Sequence, residues 1–175
     1  VDYLRPNLGE RSIQVQLSEV EEANRRFYVR AIFSLIEAVV EQHKRLLLDL
    51  AERNIIILAP RVIGALSERA YVVKQNGRVG EREQYLQLEQ KLRAAYRAAG
   101  EAFDQPLAAD FGGQGWQTFR EALDIRDRLT HPKTFDNCHV EEEALETVES
   151  GHAWFRNLNN EFVRVARDHR EKNKW

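Results

Sequence analysis

The chain has 175 residues, 43% of them apolar and 31% charged, enough for one domain with a real core. A net charge of −2 gives no global attraction for a polyanion, so any nucleic-acid contact has to come from a local patch. The single cysteine, Cys138, excludes an intrachain disulfide and fits a reducing, cytoplasmic setting.

The first segment, residues 1–17, ends in "SIQVQL", in which Ile13, Val15 and Leu17 alternate with Gln14 and Gln16. This period of two predicts an extended N-terminal arm. Ser18 and Glu21 have the form of a capping box and open a helix to about Arg53. Its wheel puts Tyr28, Ile32, Leu35, Ile36, Val39, His43, Leu46, Leu47 and Leu50 on one face, with Phe27, Phe33 and Leu48 outside it, so the helix should meet neighbours on more than one side.

Pro60 and Gly64 interrupt the next apolar segment, which predicts one or two short helices ending at "NGRVG". A helix is expected over about Glu81–Phe103, and "DQPLAADFGGQG" reads as a loop. Its glycines follow no strand and precede no Lys-Ser/Thr pair, which argues against a phosphate-binding loop. Two more helices, about Trp116–Thr130 and Val140–Asp168, complete an all-α antiparallel bundle of about five helices over residues 18–170, with a fraying basic tail at 171–175. The apolar runs are too short or too interrupted by charge to span a bilayer.

The densest chemistry lies in "DIRDRLTHPKTF", residues 124–135. On the wheel Arg126 falls between Leu129 and Phe119 on the apolar arc, so it should face the core or a cleft, and a buried guanidinium needs a partner. Arg128 lies on the opposite side. His131 precedes Pro132, which disfavours helical geometry, so the helix should end there and free the imidazole. Asp127, four residues earlier, is placed to orient that ring.

"RDRLTH" resembles the R-x4–6-H motif of the HEPN superfamily, compact all-helical proteins that are usually dimers with the motif at the interface. The resemblance implies a metal-independent endoribonuclease without cofactors, often a toxin encoded beside an antitoxin. Arg126 would stabilise charge on the scissile phosphate, Asp127 would fill the polar position, and His131 would be general base or acid, promoting attack by the RNA 2′-hydroxyl. Arg120, Arg128 and Lys133 could add phosphate contacts, although Glu121, Asp124 and Asp127 offset much of that charge. The competing implication is a non-catalytic, dimeric interaction or nucleotide-binding protein.

Elsewhere the bland readings prevail. His152 and Asn159 share an apolar stripe and could line the same cleft, but a core histidine bonded to asparagine explains them as well. His43 reads as a core histidine, and Glu37 as a solvated carboxylate or a distant partner for Arg126. Glu149 and His152 form an E-x-x-H, but the second copy that a di-iron bundle needs is missing from the sequence. Cys138 and His139 lack the further thiols of a zinc site.

Overall fold

The computed structural model describes residues 8–105, 107, 110–134 and 136–175, with side chains from residue 18 onward. Helices dominate: α1 (Leu8–Glu52), α2 (Pro60–Leu66), α3 (Leu88–Ala102), α4 (Gln114–Thr130) and α5 (Glu142–Asn173), with one short hairpin, β1 (Arg69–Val73) and β2 (Val79–Glu83). No helix among the described residues is long and apolar enough to cross a membrane.

The anticipated arm is helical from Leu8 onward, and residues 1–7 lie outside the described part. A lone strand leaves its backbone donors and acceptors unpaired, whereas a helix pairs them internally, and Leu, Glu, Arg and Gln between residues 8 and 17 all favour helix. At the other end α5 continues to Asn173, beyond the expected end near Asp168 and through most of the tail that was expected to fray. The Trp175 ring comes within 6.3 Å of His169, one contact that holds this end.

The hairpin replaces the helical reading of residues 69–83. β1 and β2 pair antiparallel, Val73 opposite Val79 and Arg69 opposite Glu83. Gly77, at φ 76°, supplies the left-handed residue that closes the tight loop, and the Gly77 amide donates to the Lys74 carbonyl at 2.9 Å. β-Branched and aromatic residues in "RAYVV" followed by Asn-Gly are a hairpin signal, and that signal overrides the helical spacing. α3 accordingly begins at Leu88, not near Glu81, where the Gln87 amide donates to the Gln90 side chain at 3.0 Å.

The described residues form two compact units. One comprises residues up to Ser34 with Gln114–His152; the other comprises Leu35–Gly113 with Ala153–Trp175.

In the first unit, Phe33 of α1 meets Phe119 of α4 at 6.1 Å and Arg30 meets the Leu129 carbonyl, so α1 and α4 run in opposite directions. α5 returns along α4. Gly151 lets it approach closely, since a Cβ there would lie 3.0 Å from the Ala122 Cβ and 3.2 Å from the Phe119 Cα. Trp116 and Phe119 stack at 5.6 Å and are buried with Ala122, Leu123 and Leu129.

In the second unit, Phe162 of α5 stacks on His43 at 3.7 Å and meets Tyr96 edge-on at 5.4 Å. Leu47, Leu50, Leu66, Leu92 and Phe103 complete that core. Lys44, 3% exposed, is paired with Glu41 and Glu68, and Lys91 reaches the same two carboxylates at 3.1 and 3.0 Å. Burial pushes the Glu68 carboxyl upward, but hydrogen bonds from Lys44 and Lys91 outweigh it and hold the group at about 2.

The buried stripe of α1 is Val29, Ile32, Phe33, Ile36, Val40, His43, Lys44, Leu47 and Leu50. It is rotated from the expected face: Tyr28 and Leu35 are exposed, while Phe33 and Val29 turn inward.

Candidate functional site

The C-terminal end of α4 carries the residues that the sequence singled out. Trp116, Phe119, Ala122, Leu123 and Leu129 bury one face of this helix, while Gln117, Arg120, Glu121, Asp124, Asp127 and Arg128 are exposed. Arg126 lies at the margin of the buried face, its side chain 20% exposed. Its guanidinium carbon sits 5.5 Å from the centroid of the Phe33 ring, and Nη1 donates to Asp127 Oδ1 at 2.8 Å. An aromatic face below and a carboxylate beside it satisfy a partly desolvated cation and restrict its movement.

Asp127 therefore engages Arg126 instead of orienting His131. Adjacent helical positions point about 100° apart, but the arginine stem is long enough to fold back onto its neighbour.

α4 ends at Thr130, next to the anticipated stop at Pro132. The His131 amide still donates to the Asp127 carbonyl at 2.9 Å, so the helical path includes the histidine nitrogen. Positions 126 and 131 thus leave the helix about 140° apart. The His131 side chain is exposed, and the turn after it is shaped by Asn137, whose Oδ1 accepts from the amides of Lys133 and Thr134 at 3.0 and 3.1 Å.

Three α1 side chains clamp this region, and the sequence reading missed all of them. Arg30 Nη2 donates to the Leu129 carbonyl at 2.6 Å, which places a cation on the orphan carbonyls at the negative end of α4. Arg25 donates to the Val140 carbonyl at 3.2 Å and pairs with Glu142 at 2.8 Å. Glu22 accepts from the Val140 amide at 2.8 Å and lies 3.1 Å from His139 Nδ1. Each partner lies about a hundred residues away in sequence, beyond the reach of any local pattern.

The remaining candidates scatter. Arg128 is exposed, as expected, and reaches the His139 carbonyl at 3.3 Å. It lies in a groove of about 620 Å³ whose walls carry Glu121, Asp124, Asp136, Glu141 and Glu143. Arg120 is exposed on α4, and Lys133 is exposed just beyond it. His152 is half-buried in the same unit.

Asn159 and Glu37 belong to the second unit, and Glu37 is exposed there. The histidine bonded to Asn159 is His43, and not His152 as the sequence suggested. Seven residues along one helix separate His152 from Asn159 by about 10 Å, too far for a direct bond. Burial drives His43 down to about 4 against the raising effect of Asn159, so the ring is neutral and structural.

Among the described residues no group of three or more His, Cys, Asp or Glu side chains is placed to hold a metal ion. Compared with family models, with curated proteins and with solved structures, the chain gives no match.

Proposed function

We propose that the chain is a HEPN-like, metal-independent endoribonuclease that acts as a homodimer, with Arg126 and His131 at its centre. The observation that carries this reading is the contrast at the end of α4. Arg126 is held half-buried by Phe33 and Asp127, while His131 stands exposed immediately past the last turn.

A restrained guanidinium suits the stabilisation of charge developing on a phosphate, and an exposed imidazole suits proton transfer near neutral pH, a contribution of about 10²–10⁴-fold. The RNA 2′-hydroxyl attacks its own phosphorus while a histidine takes its proton. The 5′-oxygen leaves with a proton from a second acid, and a cyclic phosphate remains. The divergence of about 140° between positions 126 and 131 favours a site completed by a second copy, whose own histidine supplies the other proton. A toxin restrained by a cognate antitoxin fits an RNA-cleaving activity of this kind.

The second reading, a non-catalytic HEPN-like interaction or nucleotide-binding protein, draws support from the acidic groove beside Arg128. Five carboxylates there repel an RNA backbone and suit a basic protein surface.

The two readings separate in one assay. The first predicts RNA cleavage that persists in a chelator and is abolished by Arg126→Ala and by His131→Ala. A purified dimer that leaves diverse RNAs intact supports the second.

A further inference from the structure

In the first unit α1 has two sides that lack charge. One is buried, at Val29, Ile32 and Phe33. The other carries Val20, Asn24, Phe27, Ala31 and Ser34, all of them exposed, Val20 by 59% and Phe27 by 73%. Their alternating spacing of four and three residues keeps them on one stripe, the spacing by which one helix packs along another. Residues 18–21 are exposed at four successive positions, which point about 100° apart, so α1 stands clear of its own bundle there. Among the described residues the fold covers the first side only.

Arg30 and Arg25, which flank the stripe, are both drawn away from it, Arg30 to the Leu129 carbonyl and Arg25 to the Val140 carbonyl and Glu142. What remains is an uncharged seam whose bulk and space match each other. Turned end for end about a point between Phe27 and Ala31, the stripe meets itself: Phe27 of each copy falls on the small Ala31 of the other, and Asn24 falls on Ser34, where an amide can donate to a hydroxyl. Such pairing brings no like charges together along the seam, so nothing opposes burial of the two phenylalanines.

We propose that this stripe of α1 is a seam between two copies of the chain, which pair antiparallel about a twofold axis between Phe27 and Ala31. Phe33, which seats Arg126, lies about 160° around the helix from Ala31, so a copy on this seam is turned away from the end of α4. The inference therefore stands apart from the ribonuclease reading. If the second-copy contact of that reading also forms, the wild-type protein is a tetramer; if it does not, a dimer.

The test is sedimentation equilibrium of the full chain at about 100 μM, high enough to populate a contact of micromolar strength. Phe27→Glu, at an exposed position, should halve the mass and weaken self-association about tenfold or more, with the helical circular dichroism signal kept. The direction of pairing is read from a second variant that combines Cys138→Ser, Asn24→Cys and Ser34→Cys. Positions 24 and 34 lie about 15 Å apart along one helix, too far to join within a chain. On oxidation, peptide mapping should find position 24 of one copy linked to position 34 of the other. Links from 24 to 24 and from 34 to 34 would overturn the antiparallel pairing, and an absence of links, or a mass that Phe27→Glu leaves unchanged, would overturn the seam. A monomeric wild type would also overturn it and leave the stripe to a helix of another protein.

Discussion

Arg30 of α1 donates to the backbone carbonyl of Leu129 at 2.6 Å, so a side chain ninety-nine residues upstream holds the turn that ends in His131. A guanidinium on the last carbonyls of a helix answers both their lack of partners and the negative end of the helix dipole.

Arg30→Met keeps the aliphatic stem and removes the donor. It should cost about 1 kcal/mol in denaturant unfolding, the ordinary value of such a bond. The catalytic reading adds that RNA cleavage should fall further than the loss of folded protein explains, because the end of α4 is no longer fixed. Equal losses in the two measurements would separate this clamp from the activity.

Gly151 should resist substitution although it lies inside a helix. Alanine normally favours a helix over glycine by about 1 kcal/mol. Here the added methyl meets the Phe119 backbone at 3.2 Å and the Ala122 side chain at 3.0 Å, and a backbone cannot move aside as a flexible side chain can. Gly151→Ala should therefore destabilise the protein by about 1–3 kcal/mol, read as a lower urea midpoint with an unchanged slope.

His43 makes stability depend on pH in a defined window. Its folded value of about 4 lies below the ordinary 6.5, so the unfolded chain binds a proton more readily. The stability this group contributes is complete above 6.5 and is lost as pH falls from there through 4, by about 3 kcal/mol in total. His43→Phe preserves a ring against Phe162 and should flatten that part of the profile. Glu68, held at about 2, acts lower, its contribution fading between 4.5 and 2. The slopes of wild type and variant, measured by denaturation at successive pH values, distinguish the two groups.

Lys44 anchors the ionic cluster of the second unit. Lys44→Met removes a buried cation and leaves Glu41 and Glu68 with Lys91 alone, which should cost about 3 kcal/mol. The double variant with Glu68→Leu should recover much of that loss, because the excess carboxylate goes too. A double variant less stable than Lys44→Met would contradict this account of the cluster.

Much of this architecture is legible in the sequence for local reasons. Pro60 marks the start of α2 and Pro132 follows the end of α4, and the wheel of residues 116–130 turns Arg126 toward the apolar side and Arg128 away from it. The hairpin escaped because "AYVV" satisfies helical spacing about as well as strand alternation, and only Asn76-Gly77 decides between them. The clamp of Glu22, Arg25 and Arg30, the pairing of His43 with Asn159, and the Lys44 cluster join distant elements through polar side chains. Apolar periodicity says nothing about which polar group meets which. The Arg126 and Asp127 pair was hidden for a different reason: neighbouring helical residues diverge at Cβ and meet only through the length of the arginine.

The central claim is that Arg126 and His131 cleave RNA by attack of its own 2′-hydroxyl. It is tested most directly by mass spectrometry of the RNA ends formed by the purified protein in excess chelator. The account predicts a cyclic phosphate on one fragment and a 5′-hydroxyl on the other, with neither formed by Arg126→Ala or His131→Ala. Intact RNA with the wild-type protein, or the same ends formed by both variants, would contradict it.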